Sequence, residues 1–459
     1  MTLNQNTPWK RLICIIFALS LLLVACQPDA QVAVDDGGNG AVGNVDGEVV
    51  INFHAWNDQP QQRFEEVVVL PEGVSVNWVI TPNEGNAFQL SLFDNLLNNP
   101  GAIDLFVVNI DQIRNFVEPG TTLSIFDDIG LTQNDLQHMY IYTLEAATGS
   151  DGVLRALSWE ANPGLFAYRR SIAQEVFGTD DPEYIHSRIS TWEGFNEVAH
   201  LMAEHGYQML SGFDDSFRVF ANNISAPWVN ENNEIVVDQR IHDWIDQTLY
   251  FTQNGFNNRS SLWDSVWTSD QGLGGTVFGF FYATWGIEFT LLANSLEVPV
   301  AEGGLLEVGN GLFGDWAVTH GPDSFYWGGT WILAPESSTL DRELIRSIMY
   351  QMTVDRDNLR TIVDEFGNFV NHSELMEEIA SDPDFGNDFL GGQNHIALFA
   401  QTAPNITAEN ISPFDQAMVE AVQTSMSDYF NGLVDRDTAW DNFFTIVTTL
   451  HPHLQRPAS

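Results

Sequence analysis

From Val49 onward the chain alternates short apolar runs with stretches whose apolar residues recur every three or four positions, and no other feature limits its fold so strongly. Val49-Val50-Ile51-Asn52-Phe53-His54-Ala55-Trp56 reads as a strand, after which Asn57 or Asp58 can cap a helix from Gln59 to about Val69. Val74 to Ile80 reads as a second strand, and Phe88, Leu92, Leu96 and Leu97 fall at helical spacing. Ile103 to Val108 is a short apolar run, as a strand buried on both faces requires. Strand–helix–strand alternation argues for a parallel sheet in an α/β layer architecture. A second such region begins near Leu154, where Ser190-Thr191-Trp192-Glu193 forms a capping box opening a helix that ends at Gly206. Ser412-Pro413 starts a helix carrying Phe414, Met418, Val422, Met426 and Tyr429, which stops near Gly432. A last helix aligns Trp440, Phe443, Phe444, Val447 and Leu450 in one apolar stripe, which assigns those aromatics to core.

The first residues read as an address. Lys10 and Arg11 precede an apolar run from Leu12 to Ala25. That run is shorter than the about 20 residues needed to span a bilayer, and it fits a signal-peptide h-region. It ends Leu23-Val24-Ala25-Cys26, similar to a lipobox, in which the peptide is cut before the cysteine and the thiol is acylated. Residues 1–25 are therefore expected to be a lipoprotein signal peptide and Cys26 the lipid attachment site. Residues 27–48, rich in Gly, Asp, Asn and Ala, read as a flexible tether with a reach of roughly 25 Å. Cys14 leaves with the signal, so no thiol pair remains for a disulfide, a cysteine zinc site or thiol catalysis.

Charge narrows the partners. The chain carries 62 acidic and 17 basic residues, for a net −45, and Lys10 is its only lysine. Such a field repels nucleic acid and anionic headgroups. Without lysine in the mature chain there is neither a Walker-A phosphate site nor a Schiff base. A saline habitat, which screens the repulsion, and a lineage bias in composition account for the acidity equally well.

Catalytic patterns are weak. There is no H-E-x-x-H, no G-x-S-x-G, no G-x-G-x-x-G after a strand and no EF-hand loop. His200 and His205 are five apart and do not share a helix face, and Asp382 to Asp388 lacks calcium-ligand spacing. No cofactor, metal or catalytic residue is indicated. The positive signal is aromatic: 14 Trp, several beside Gly, Asn or acidic residues at strand ends. These are His54-Ala55-Trp56-Asn57-Asp58, Ser158-Trp159-Glu160-Ala161-Asn162-Pro163, Thr284-Trp285-Gly286 and Tyr326-Trp327-Gly328-Gly329-Thr330-Trp331. A pyranose presents an apolar C–H face to an indole and a rim of hydroxyls to carboxylates and amides.

Taken in order, five segments resemble the extracellular solute-binding proteins of carbohydrate ABC transporters. They are Val49–Asp58; Asp104-Leu105-Phe106-Val107-Val108-Asn109 with Phe116 to Ile129; Gly152 to Arg170; Thr191-Trp192-Glu193; and Gly328-Gly329-Thr330-Trp331-Ile332-Leu333-Ala334. Leu390-Gly391-Gly392-Gln393 and Gly178-Thr179-Asp180-Asp181-Pro182 are similar to a subgroup of that family. Ser158 departs from it where proline is frequent, as does the absence of lysine.

The resemblance implies a two-lobe α/β fold of the type II periplasmic-binding-protein kind, with ligand in a cleft between lobes. It implies a first lobe of about 49–157 plus 286–326 and a second of about 158–285 plus 327–455. Carried over by position, the expected ligand contacts are Trp56, Asp58, Asn109, Trp159, Glu160, Trp285, Trp327 and Gly329, with Trp263 and Trp267 behind them. The Gly328-Gly329 pair serves either backbone approach or hinge bending. The implied function is binding of a sugar or oligosaccharide outside the cytoplasmic membrane and its delivery to ABC permease subunits. The protein would be a monomer, held to the membrane by its lipid alone, without enzymatic activity or nucleic-acid partner. Three rivals stay open: a secreted carbohydrate-active enzyme, a binding protein for another solute such as a polyamine, and a receptor feeding a membrane sensor.

Overall fold

Sequence periodicity and burial agree where the first sheet begins. The computed structural model describes residues 48–457, so the signal peptide at 1–25, Cys26 and nearly all of the tether lie outside the described residues. Strands β1 (Val49–Ala55), β2 (Val74–Ile80) and β3 (Leu105–Val108) are mutually parallel, β1 lying between the other two. Every residue of β3 is buried, as the apolar run requires. Between β1 and β2 the helix Gln59–Val67 turns Pro60, Phe64 and Val67 inward, and Arg63 with them. Burying the Phe64 ring is worth roughly 1.5–3 kcal/mol, so Phe64→Asp would unseat this helix.

Strand β4 (Leu157–Ser158) marks the far edge of that sheet, and the chain then leaves for a second lobe. There β5 (Gly164–Arg169), β6 (Leu210–Gly212), β7 (Asn257–Ser260), β8 (Gly279–Ala283) and β9 (Trp316–Thr319) form two small sheets, ordered β8-β5-β9 and β6-β7. Strand β10 (Trp331–Leu333) returns to the first sheet, antiparallel between β3 and β4. The first sheet thus reads β2-β1-β3-β10-β4 and is mixed, while β8-β5-β9 is wholly antiparallel, against the parallel sheet expected from alternation alone.

Strand pairing also exchanges two segments expected of the lobes. Within 286–326, β9 pairs with β5 and so belongs to the second lobe. Beyond 327, β10 and the helices Arg342–Thr353 and Arg356–Phe366, which pack on Gln59–Val67, belong to the first. Which sheet a strand joins is decided by backbone hydrogen bonds to distant partners, and a local apolar pattern carries no label for them.

Three extended segments join the lobes. Pro163 pairs with Tyr326, Glu160 pairs with Val370, and the Ala161 N–H donates to Phe369 O at 3.0 Å. The crossing is therefore a ribbon of residues 326–330, 159–163 and 368–372, with 159–163 central. The helices Asp415–Phe430 and Arg436–Leu450 close the fold by packing on each other, and Asp415–Phe430 also packs on Gln239–Asn254. Phe443 and Val447 are fully buried there, as the apolar stripe requires. Thr191 caps the helix Trp192–Glu204, its hydroxyl accepting from Gly194 N.

Candidate functional site

Ligands of open α/β sheets bind beyond the carboxyl ends of the strands, and here those ends converge on the crossing ribbon. By register, Trp56 follows β1, Asn109 follows β3, Trp159 follows β4 and Gly329 precedes β10, all past the same edge of the first sheet. From the second lobe, Trp285 follows β8 and Trp263 follows β7.

The second-lobe aromatics meet. Trp285 and Trp327 lie 4.8 Å apart edge to face, and Trp263 stacks on Trp285 at 6.0 Å. Trp327 stacks on Tyr282 at 6.0 Å and 3°. Trp285 Nε1 donates to Trp327 O at 2.7 Å, so one indole anchors the crossing strand that carries the other. Phe289, 53% exposed, continues the row from Trp285 on a π-helical turn, Ile287–Leu292. Turns of that kind are frequent at functional sites. Trp263 is 55% exposed and holds φ +71°, a backbone region costly for a bulky side chain. Beside it, Leu262 N donates to Asp214 at 3.4 Å and Ser261 N to Asp264 at 2.9 Å.

Behind this wall, burial pushes the Asp214 carboxyl up to about 7 and that of Asp215 up to about 6. Asp215 accepts from Trp267 Nε1 at 2.9 Å. Trp267 is 1% exposed, so it backs Trp263 from the core and offers no face to a ligand, contrary to the expectation for it.

Two further expectations need correcting. Trp159 is 2% exposed and packs in the main core. Glu160 is buried, with one oxygen accepting from Thr330 Oγ1 at 2.8 Å and the other from Asn368 Nδ2 at 3.1 Å. Arg63 donates through Nε and Nη2 to Asn368 Oδ1 and rests over the Phe366 ring at 4.2 Å. Desolvation raises the Glu160 carboxyl, although Thr330 and the Arg63 charge offset part of the rise. This network ties the helix Gln59–Val67 to all three crossing segments, with Glu160 between Thr330 and Asn368. Local sequence gives a Trp-Glu pair at a strand end but not which side of the ribbon its side chains face.

Gly328 and Gly329 have φ +80° and +110°. A Cβ on Gly328 would meet Trp285 Nε1 at 2.8 Å, and one on Gly329 would meet the Trp331 ring at 2.6 Å. The pair is thus required by close approach of the protein's own indoles. Trp56 is half-buried at 6.0 Å from Phe88, Asp58 is exposed and accepts from Gln62, and Asn109 accepts from Asp111 N. These three occupy the first-lobe edge, apart from the Trp263–Trp285–Trp327 wall.

Sequence reasoning passed over a charged cluster on the other side of Tyr326. Arg218, in the helix Phe217–Ala221, makes a bidentate pair with Asp111, 2.7 Å on each arm. Beside them, burial pushes the Asp415 carboxyl up to about 7, while Ser412 donates to it. Asp111, Arg218, Asn222, Tyr326 and Asp415 share the lining of a cavity of about 30 Å³. The available signal was an arginine among aromatics (Phe217-Arg218-Val219-Phe220) in a chain with 17 basic residues against 62 acidic ones. Among the described residues no group of three or more His, Cys, Asp or Glu side chains is placed to hold a metal ion. No helix among them is long and apolar enough to cross a membrane.

No family model matches the chain, and no curated protein matches it by sequence. Solved structures do match it. An extracellular solute-binding protein of family 1 is similar over 87% of this chain and 99% of its own, with TM-score 0.71 and 14% identity. The ABC transporter-associated binding protein of Bifidobacterium animalis subsp. lactis, solved with β-1,6-galactobiose, is similar over 90% and 100%, with TM-score 0.64 and 18% identity. The galacto-N-biose-/lacto-N-biose I-binding protein of Bifidobacterium longum, solved with lacto-N-biose, is similar over 89% and 99%, with TM-score 0.65 and 14% identity. At these identities the likeness is one of fold: the chain has the two-lobe α/β architecture of extracellular solute-binding proteins.

Proposed function

We propose that this chain binds a sugar or short oligosaccharide outside the cytoplasmic membrane and delivers it to an ABC import permease by closing its lobes. The observation that carries this reading is the gathering of Trp263, Trp285 and Trp327 into one indole wall beside the crossing ribbon. Indole faces suit the apolar side of a pyranose, and in this reading Trp56, Asp58 and Asn109 at the strand ends of the first lobe add stacking and hydrogen bonds. The fold shared with binding proteins solved in complex with disaccharides supports the same reading. Sugar contacts to both lobes favour the closed state, and the shift in population equals the difference in affinity between states. In this reading residues 1–25 are a signal peptide, Cys26 carries the lipid and the tether lets the body move above the membrane. The protein acts without a catalytic group.

Differential scanning fluorimetry over mono- and oligosaccharides, with putrescine and spermidine alongside, tests it. A ligand at a hundred times its Kd stabilises by about 2.7 kcal/mol. The expected result is a rise in Tm with one sugar class and no release of reducing ends. Turnover of glycans would replace the reading by the enzymatic one, a response confined to polyamines would replace the ligand, and no response at all would overturn it.

A further inference from the structure

His372 ends the crossing segment 368–372 and stands at the N-cap of the helix Ser373–Ala380. Its Nδ1 accepts from Leu375 N at 3.2 Å, which satisfies one of the free N–H groups of the first helical turn. Serine, threonine and asparagine caps accept through oxygen at any pH, whereas an imidazole accepts only while that nitrogen is unprotonated. The ring is buried and stacks on His138 of the first lobe, with centroids 4.8 Å apart and planes at 15°. Backbone and amide bonds join the same two places: Ser373 N donates to His138 O at 2.7 Å, and Tyr140 N to Asn371 Oδ1 at 2.9 Å. The helix itself packs on His395–Thr402, which packs on β5 and β9. Two imidazoles thus close the joint where this segment passes from the first lobe to the second.

The charges around the joint come from three elements. Glu374, in the first turn of the capped helix, lies 3.5 Å from His138 Nε2. Arg356, from the helix Arg356–Phe366, faces His372 while Glu378 takes its guanidinium. Burial and Glu377 push the Tyr140 hydroxyl up, so it stays neutral. Desolvation, then His138 and Arg356, hold the His372 imidazole below its ordinary 6.5, and Glu374 opposes them only in part. A proton on His372 would remove the cap acceptor, place a cation at the positive end of a helix and set it against the His138 ring. The unfolded or uncapped segment takes that proton near 6.5 and the closed joint only at lower pH. The joint is therefore at full strength above about pH 6.5 and weakens as pH falls below it. We propose that the stacked His138–His372 pair is an acid-sensitive joint: at neutral pH it clamps the segment 368–372 to the first lobe, and in acid the helix Ser373–Ala380 uncaps and releases it. Outside the cytoplasm, where the proposed function places the chain, the acidity of the medium acts on this joint directly. The device itself is independent of the sugar-binding reading.

The test uses His372→Asn, which keeps a cap acceptor at every pH and abolishes the titration, and His138→Gln, which removes the stacked ring. Hydrogen exchange of the amides of Ser373–Ala380 is measured at pH 7.5 and 5.0 and corrected for the intrinsic rate. The helix Arg342–Thr353, capped by Asp341 and free of histidine, serves as the internal reference. An open form that protonates at 6.5, about 1.5 units above pH 5.0, sets a ceiling of about thirtyfold on the loss of protection. A loss of about tenfold is expected in the parent, none in His372→Asn and a smaller one in His138→Gln, with the reference helix unchanged. An equal loss in His372→Asn and the parent would overturn the proposal, as would a His372 ring signal that titrates at or above 6.5 while the helix stays protected. Should His372→Asn fail to fold, the parent decides alone: protection at pH 5.0 that falls no further in Ser373–Ala380 than in Arg342–Thr353 would sink the joint.

Discussion

Tyr326 and Trp327 are neighbours in one crossing segment, yet they turn to surfaces of opposite chemistry. Tyr326 lines the small cavity with Asp111, Arg218 and Asp415, whereas Trp327 packs among Trp285, Trp263 and Tyr282. The indole wall is built by the second lobe and the crossing ribbon, and its rings bury area on one another whatever the first lobe does. The ionic surface takes one partner from each lobe, and an ion pair at 2.7 Å exists only while both are in place. The contrast separates two kinds of contact: one packed within the second lobe and the ribbon, and one that exists only across the two lobes.

Substitutions can break or sharpen that contrast. The largest effect is expected from Trp327→Ala, which removes a ring packed on Tyr282 and Trp285; stability to urea should fall by about 2–4 kcal/mol. A loss under about 1 kcal/mol would mean that the wall is not a packed unit. Trp285→Ala should weaken sugar binding by about 1–3 kcal/mol in calorimetry, the range for buried aromatic anchors, and wild-type affinity would remove it from the site. Trp263→Gly should act in opposite directions on the two readouts. It relieves φ +71°, gaining up to about 1 kcal/mol of stability, while sugar binding weakens. If both fall together, the strain is not stored for function.

The smallest effect concerns the ionic side. Asp415 is held up near 7 by burial, against an ordinary value near 3.8, so its folded form prefers the proton. Its contribution is fully present below about pH 4 and is lost as pH rises through 7. Asp415→Asn keeps an acceptor for Ser412 and abolishes the titration, so the stability gap between variant and parent should widen in the variant's favour from pH 5 to 8. A gap that is flat with pH would show that Asp415 ionises freely.

Much of the scaffold was legible because its signals are local. The strand Val74–Ile80 appears where alternation places it, and Thr191 caps the helix that its capping box announces. The helix expected from Ser412-Pro413 begins at Asp415, with the Ser412 hydroxyl bonded to the Asp415 side chain. The strand-end rule picked out Trp285 and Trp327, which the structure brings within 4.8 Å of each other. It failed for Trp159 and Glu160, since a residue at a strand end can turn to either face of the ribbon, and for Trp267, whose indole N–H goes to the buried Asp215. Asp111 and Arg218 escaped because the 107 positions between them leave no spacing to read.

By itself the sequence determined the kind of object: an acidic, lysine-poor body of alternating strands and helices, with tryptophans at strand ends. Those properties follow from composition and from periods of two and 3.6 residues, which each segment carries alone. Tertiary structure alone decided that β9 joins the second sheet and β10 the first, that three indoles meet while others sink into the core, and that one carboxylate faces one guanidinium across the lobes. Each of these is a pairing between segments distant along the chain, and its free energy exists only once the fold has brought both partners to the same place.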